Sequence, residues 1–256
     1  IETNNCKRGI IKMEPVYTQN YEIKDNMVDC FGNLRPGQIL FIAQDMGTRH
    51  CQELSLSYDV LASHRLFWAV TRHRVQITRL PKSGETIRVE TWAMPTTRVA
   101  YPRSVVAYDE KGQELFRSIT LWVLMNMDTR AMIQPGQSGI EVVGTDRGLE
   151  LASPKGIVPR DMVNSSPRRV CFTDLDRNGH MNNTRYMEWV EDLFPSRFHR
   201  EHKLKEFTVC YLAECREGQT LDMHYEIMEG GTVQVDAHRT ENGEDHRVFS
   251  ARMLYV

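Results

Sequence analysis

The sequence predicts an α+β protein built from two tandem units, each an antiparallel sheet wrapped around a central helix. Two observations carry this prediction. The order of one apolar helix followed by four strand-like segments occurs twice along the chain. The two copies also align, with Gly84 on Gly218, Val75 on Val209 and Pro81 on Cys215. A repeat of this length indicates two duplicated domains rather than a solenoid, and short connections between strands favour antiparallel pairing.

The first copy begins with an extended segment over residues 17–31 and a Gly-Asn-Leu-Arg-Pro-Gly turn over 32–37. Apolar residues at helical spacing then predict a helix around 39–46, and a shorter helix covers 57–63. Strand-like runs follow near 66–80, 85–94, 99–108 and 115–127, separated by Gly, Pro and Asp-rich breaks.

Residues 134–163 are rich in Gly, Pro and Ser and show neither period, so they predict a linker. The second copy continues with an extended segment at 170–172, a polar loop, and a helix carrying Tyr186, Trp189, Val190 and Leu193. Four strands are predicted over 203–213, 220–227, 232–238 and 247–256. These boundaries give an N-terminal domain over 9–135, a linker over 136–160 and a C-terminal domain over 161–256.

The polar loop is the strongest candidate for a functional site. It places Asp176, Asn178 and His180 at alternate positions, with Gly179 permitting a tight turn and Asn182 or Asn183 capping the helix that follows. The loop therefore meets the positive end of a helix, where free N–H groups can receive an anion or a polarised carbonyl. At the positions that we expect to correspond, the first copy carries Leu34, Pro36 and Gln38, so only the second copy is expected to be catalytic.

The loop also matches the first half of a calcium-binding EF-hand, which needs a bidentate Glu at its twelfth position. The twelfth residue here is Arg185, and Glu188 comes three residues too late. A guanidinium would repel the ion, so no metal site is predicted.

Composition sets the broad class. Hydrophobic content of 41%, charged content of 26% and a net charge of −2 are typical of a globular protein and give no reason to expect nucleic acid as a partner. No apolar run approaches the length of a membrane span, and no signal peptide is visible at Ile1. The six cysteines are scattered, which favours free thiols in a reducing compartment, so a cytoplasmic location is expected.

With these residues in view, the chain resembles the acyl-ACP thioesterases, the fatty acyl-[acyl-carrier-protein] hydrolases of plastids and bacteria, and we expect a bacterial member. The resemblance covers nearly the whole chain. It rests on the loop from Asp174 to Asn183, on Tyr211-Leu212-Ala213-Glu214-Cys215-Arg216, and on Leu121-Trp122-Val123-Leu124-Met125-Asn126 followed by Thr129-Arg130.

This resemblance implies a tandem double hotdog fold, with the acyl chain held by the N-terminal domain and catalysis in the C-terminal domain. It implies release of free fatty acid from acyl carrier protein in fatty acid biosynthesis, with no cofactor. The catalytic set it implies is Asp176, Asn178, His180 and Glu214, with Cys215 as a possible nucleophile.

A homodimer is possible. Because the carrier is acidic, a basic docking face is expected. The candidates for this face are Arg72, Arg74, Arg79, Lys82, Arg168 and Arg169.

The chemistry leaves some roles open. Asn178 could hold the carbonyl or the water, His180 is the natural proton carrier, and Glu214 or Asp176 could orient the imidazole or activate water. Glu214 and Cys215 are neighbours on an expected strand, so they point to opposite faces and at most one can face His180. Glu214 is favoured, because the loop already holds a proton carrier and a water route needs no thiolate.

Three alternative functions stay open at this point: an acyl-CoA thioesterase, a hotdog enoyl-thioester hydratase and a non-catalytic acyl-binding protein. The hydratase signature has a proline and one further residue before its histidine, so the loop here is too short for it.

Overall fold

The computed structural model describes residues 15–256. The predicted lead-in, the start of the predicted N-terminal domain at residue 9, and Cys6 lie outside the described residues. The other five cysteines (Cys30, Cys51, Cys171, Cys210 and Cys215) are free thiols, as expected.

The first half contains the predicted helix and its four strands, together with a strand before them and a short one after them. These elements are β1 (Tyr17–Glu22), α1 (Pro36–Glu53), α2 (Tyr58–Ser63), β2 (Leu66–Ile77), β3 (Thr86–Ala93), β4 (Tyr101–Tyr108), β5 (Glu114–Asn126) and β6 (Met132–Ile133). Ser57 caps α2 by accepting a hydrogen bond from the N–H of Val60, which explains why this helix begins where it does.

The second half repeats this order of elements. It comprises β7 (Asn164–Arg169), α3 (Asn183–Glu191), α4 (Ser196–Glu201), β8 (Leu204–Tyr211), β9 (Thr220–Ile227), β10 (Thr232–Glu241) and β11 (Glu244–Tyr255). Short 3₁₀ turns lie at Asp25–Met27, Pro135–Gln137, Phe172–Asp174 and Glu229–Gly231. None of the helices in residues 15–256 combines the length and the apolar character that a membrane crossing requires.

The two predicted sheets join edge to edge into one antiparallel sheet of eleven strands. The strand order is β1-β3-β4-β5-β2-β8-β11-β10-β9-β7, with β6 beside β5. The junction is the β2–β8 ladder, which runs from Arg72 opposite Cys210 to Gln76 opposite Glu206 and is centred on Arg74 opposite Thr208. The alignment that places Gly84 on Gly218 also places Arg74 on Thr208, so a pseudo-two-fold axis passes through this pair.

α1 and α3 contact each other and pack against one face of the sheet, where Tyr186 of α3 stacks on Phe249 of β11. Residues of both halves belong to one apolar core, including Ile42 and Met46 from α1 and Met187 and Val190 from α3, all of them fully buried. Both helices therefore lie at the centre of the molecule. The position of α3 brings the loop that precedes it against the first half of the chain.

Candidate active site

The loop before α3 is closed by its own backbone. The N–H of Asp176 donates to the carbonyl of His180 at 2.8 Å, and the N–H of Gly179 donates to the carbonyl of Asp176 at 3.0 Å. Gly179 has φ +75°, the left-handed region that favours glycine. The N–H of Met181 then donates to the carbonyl of Cys215 at 2.8 Å, which ties the end of the loop to the segment after β8.

The carboxylate of Asp176 is directed into this loop. Its Oδ1 accepts the N–H of Asn178 at 2.8 Å and that of His180 at 3.3 Å, and its Oδ2 lies 3.4 Å from Nδ2 of Asn178. Asp176 therefore sets the shape of the turn that presents the other two side chains.

His180 and Glu214 meet at the end of this loop. Nε2 of His180 lies 3.3 Å from Oε2 of Glu214, and the carboxylate is half-exposed while the imidazole is mostly covered. The other oxygen of Glu214, Oε1, accepts a hydrogen bond from the guanidinium of Arg130, and its carbonyl accepts one from Arg239 at 2.9 Å. Glu214 is thus held between a cation of the first half and the imidazole of the second.

Cys215 points the other way. β8 ends at Tyr211, so Glu214 and Cys215 follow the strand rather than lying on it as predicted, yet their side chains still diverge. Cys215 is fully buried in the apolar core beside Tyr186, and burial raises the pKa of its thiol. Such a thiol is a poor source of thiolate.

The helix after the loop begins as the sequence predicts. The side chain of Asn182 accepts the N–H of Thr184 at 2.9 Å and so caps α3. Arg185, at the position where an EF-hand would need a carboxylate, pairs with Asp174 at 3.2 Å.

A cavity of about 470 Å³ opens beside this loop and lies mainly in the first half of the chain. Its wall includes Asp176, Arg177 and Asn178 on the loop side, together with residues of α1, α2 and the sheet of the first half. Much of this wall is apolar or aromatic, with contributions from Leu61, Phe67, Trp68, Tyr101, Trp122 and Val142. The loop of one half therefore faces a cavity built by the other.

The corresponding loop of the first half has the same backbone but different side chains. The N–H of Asp29 donates to the carbonyl of Asn33 at 2.8 Å, and Oδ1 of Asp29 accepts the N–H groups of Phe31 at 2.8 Å and Asn33 at 2.9 Å. Gly32 has φ +78°, and Leu34 donates its N–H to the carbonyl of Pro81.

These hydrogen bonds correct the predicted correspondence between the two loops. The expected counterparts Leu34, Pro36 and Gln38 are wrong, because the shared bonding pattern places Asp29, Phe31 and Asn33 on Asp176, Asn178 and His180. The error arose because the loops carry few side chains in common, and their equivalence lies in the backbone.

Both copies keep the Asp and the Gly that shape the loop. The first copy carries Phe31 and Asn33 where the second carries Asn178 and His180, and Leu80 corresponds to Glu214 through the alignment of Pro81 with Cys215. The combination of amide, imidazole and acid therefore occurs in the second copy and not in the first.

The six basic residues predicted as a docking face are spread over the molecule. Arg74 pairs with Glu206 at the junction of the halves, Arg79 pairs with Glu85, and Arg168 pairs with Asp192. Arg79 and Lys82 line a second cleft, beside the Asp29 loop. Arg72 is half-buried next to Gly156, within the predicted linker, and Arg169 is exposed at the end of β7. None of the six lines the cavity at the Asp176 loop.

Three other arginines lie at the site and were not singled out from the sequence. Arg130 and Arg239 bond to Glu214, and the guanidinium of Arg177 lies 4.6 Å from the ring centre of Tyr58 at the cavity. Arg177 lies within the polar loop, and Arg130 lies in the Thr129-Arg130 segment on which the resemblance rests. Their positions in these motifs could have marked both arginines as candidate site residues.

The fold and the site together define a double hotdog protein in which Asn178 lines a largely apolar cavity and His180, two residues further along the same loop, contacts Glu214. Residues 14–135 match the family model "Acyl-ACP thioesterase N-terminal domain", and residues 159–255 match "Acyl-ACP thioesterase C-terminal domain". The chain belongs to the acyl-ACP thioesterase family.

Curated relatives agree with this assignment. The chain is 26% identical over 239 residues to oleoyl-acyl carrier protein thioesterase 1, chloroplastic, of Arabidopsis thaliana, covering 84% of this chain and 63% of the relative. It is 26% identical over 235 residues to palmitoyl-acyl carrier protein thioesterase, chloroplastic, of Gossypium hirsutum, covering 85% and 56%. The chain thus spans about three fifths of the length of these relatives.

Solved structures show the same fold. An acyl-ACP thioesterase from Bacteroides thetaiotaomicron superimposes with a TM-score of 0.83 at 21% identity, covering 94% of this chain and 98% of that one. The 12:0-ACP thioesterase from Umbellularia californica gives a TM-score of 0.79 at 22% identity, covering 95% and 98%. The tandem double hotdog fold is therefore confirmed.

Proposed function

We propose that this protein hydrolyses the thioester of fatty acyl-acyl carrier protein and releases free fatty acid. The observation that carries the proposal is the contact of His180 with Glu214, at 3.3 Å, beside an Asn178 that lines an apolar cavity of about 470 Å³. An acyl chain would occupy the cavity of the first half, with its thioester at the loop of the second. Membership of the family supports the same activity.

In this proposal Glu214 holds the imidazole in the tautomer that carries its proton on Nε2, which leaves Nδ1 of His180 as the acceptor. Nδ1 takes a proton from water as the water oxygen attacks the carbonyl carbon. The side-chain amide of Asn178 donates to the developing oxyanion. The carbon–sulfur bond then breaks, and the proton on His180 passes to the departing thiolate.

The second acid and the cysteine receive other roles. Asp176 keeps the loop in shape through the N–H groups of Asn178 and His180, so we assign it positioning rather than proton transfer. Cys215 supports the core and takes no part in the reaction, since it is fully buried and its thiol pKa is raised.

Docking of the acidic carrier belongs to the same proposal. Arg177 lines the opening beside the loop, and we add it to the six basic residues already named as contacts for the carrier. We also propose a cytoplasmic location, because the substrate is an intermediate of fatty acid synthesis. A homodimer stays a prediction.

The test is thiol release by the purified protein on acyl-ACPs of graded chain length, with the matching acyl-CoAs as comparison. We expect turnover with a higher kcat/KM for the carrier protein. Asn178→Ala should lower kcat by about 10²–10³, the usual effect of losing one oxyanion donor. The control Cys215→Ala should keep kcat within about threefold of wild type, since a buried thiol supplies only packing. Absence of thiol release at every chain length would contradict the proposal.

A further inference from the structure

Arg103, on β4, is a buried cation at the wall of the cavity. Only 6% of it is exposed, and it faces the last turns of α1. Its Nη1 donates to Nδ1 of His50 at 2.9 Å and to Oγ1 of Thr91 at 3.3 Å, and its Nη2 lies 3.7 Å from Sγ of Cys51. A guanidinium cannot be deprotonated in a protein, so a full positive charge resides there.

None of these partners neutralises that charge. Among residues 15–256, no carboxylate lies within ion-pair distance of Arg103, although most buried charges in proteins are paired. His50 does not supply a negative charge either. The guanidinium has N–H donors and no acceptor, so Nδ1 of His50 accepts the hydrogen bond from Arg103. Burial lowers the pKa of Arg103, which is the expected sign for a charge that lacks compensation.

The neighbouring polar groups of the cavity wall are also donors. The indole Nε1 atoms of Trp68 and Trp122 are buried, and within the described part of the chain neither has a hydrogen-bond partner. Arg103 has five N–H groups, of which its hydrogen bonds to His50, Thr91 and Cys51 use three. Within residues 15–256, the two indole N–H groups and the two remaining N–H groups of Arg103 thus have no hydrogen-bond acceptor.

The position of the guanidinium is fixed by packing. A Cβ added at Gly47 of α1 would lie 3.3 Å from Cδ of Arg103, so the glycine allows the arginine stem to lie against the helix. β4 is separated from β8 by β5 and β2, which puts Arg103 roughly 14 Å across the sheet from the strand that leads to Glu214. The hydrogen bonds of Arg103 therefore involve neither His180 nor Glu214, but Arg103 lines the same cavity as Asn178.

We propose that the cavity takes acyl chains that carry an oxygen acceptor, a carboxylate above all, near the end remote from the thioester, and that Arg103 binds this group. The inference rests on the proposed function, whose substrate class it narrows. A purely alkyl chain would exclude water from the guanidinium without replacing its hydrogen bonds, and that is costly. A carboxylate would supply charge-assisted, bidentate hydrogen bonds and the missing counter-charge.

The first experiment compares two acyl-ACPs of equal chain length, one ending in a methyl group and the other in a carboxylate. The readout is the ratio of their kcat/KM values in wild type, in Arg103→Met and in Leu61→Met, a control on the same cavity wall without a change of charge. We expect wild type to prefer the carboxylate-ended chain. In Arg103→Met the ratio should fall by about tenfold or more, the effect of losing a charge-assisted hydrogen bond. In Leu61→Met it should stay within about twofold.

A smaller fall in Arg103→Met, or a preference of wild type for the methyl-ended chain, would overturn the proposal. Either result would mean that Arg103 only closes the end of an alkyl pocket.

A second experiment needs neither a variant nor turnover. Calorimetric titration of the wild-type protein with monomethyl dodecanedioate and with methyl dodecanoate, of which only the first has a carboxylate, should give about tenfold tighter binding of the first, and equal or weaker binding would overturn the proposal. If neither acyl-ACP is hydrolysed while the carboxylate-bearing ester still binds more tightly, the proposed function fails and this inference stands.

Discussion

At the scale of single residues, the clearest comparison is between Asp29 and Asp176. Each carboxylate accepts two backbone N–H groups of its own loop, two and four residues further along the chain. Where the second loop carries Asn178 and His180, the first carries Phe31 and Asn33 and so has no imidazole. Both aspartates make the same hydrogen bonds, and these bonds fix the shape of the loop. The presence of an aspartate at position 176 is therefore explained without a catalytic role.

This comparison gives a matched pair of variants. Asp29→Ala and Asp176→Ala should each reduce the free energy of unfolding by about 1–3 kcal/mol, because each leaves backbone N–H groups without their acceptor. Asp176→Ala should also lower kcat by displacing Asn178 and His180, while Asp29→Ala should leave kcat unchanged. Thermal denaturation and thiol release on the same samples check both statements. If Asp176→Ala lost kcat at full stability, the carboxylate would instead belong to the chemistry.

The sequence was informative about residues that stand close together along the chain. The alternation of Asp176, Asn178 and His180 can be read directly. Whether Glu214 or Asp176 faces the imidazole could not be decided from the sequence, and the structure places Glu214 against His180. The surroundings of Arg103 could not be predicted, because His50, Thr91 and the arginine come from three elements that meet only in the fold.

At the scale of elements, α3 ends in a carboxyl group that is held in the interior. Oε2 of Glu191 is buried and, in the part of the chain that the structure describes, has no hydrogen-bond partner. Burial raises the pKa of Glu191 to about 8, with Arg35 opposing the rise and with Glu188, Asp29 and Asp192 adding to it. The group is therefore mainly protonated in the folded protein at neutral pH and ionised in the unfolded chain.

This carboxyl group predicts a dependence of stability on pH. Between an ordinary pKa of about 4.5 and the folded value of about 8, the folded state holds a proton that the unfolded state has lost, so stability falls as pH rises through this range. Glu191→Gln should flatten the fall, and its Tm should exceed that of wild type most clearly near pH 8. Calorimetry between pH 5 and 8 measures this. Parallel Tm curves for the two proteins would contradict the assignment.

Strongly patterned elements were predicted within a few residues, among them α2 and β9. β7 was misplaced: the extended segment was expected at 170–172, and the strand is Asn164–Arg169. Its polar sequence contains Pro167 and lacks an apolar alternation, which an edge strand tolerates because one side of it needs no partner. β6 was missed because two residues are too short to show a period, and α4 was missed because Phe198 is the one apolar residue in its sequence, which leaves no apolar pattern to read.

At the scale of the whole molecule, the two halves share one sheet, one core and one site. The β2–β8 ladder joins the sheets, with Arg74 paired to Glu206 beside its centre. The site crosses the same boundary, since Arg130 of the first half bonds to Glu214 of the second and the cavity meets the Asp176 loop. The duplication was visible in the sequence. The joining of the sheets was not, because strands at a junction carry the same pattern as strands inside a sheet.

This continuity predicts how the protein unfolds. Because α1 and α3 belong to one core, neither half should lose its structure independently of the other. Scanning calorimetry should show a single transition whose van't Hoff and calorimetric enthalpies agree. Two separate transitions would show that the halves are independent domains placed side by side.

We propose that His180 and Glu214 act as one unit in hydrolysis, and a double-mutant cycle on acyl-ACP hydrolysis measures whether they do. We predict that His180→Ala and Glu214→Ala each lower kcat by about 10²–10⁴, the range for a positioned acid–base group. The double variant should be no slower than the slower single variant, because residues that act together show strongly non-additive losses. Multiplied losses in the double variant, or a near wild-type rate in either single variant, would contradict the account.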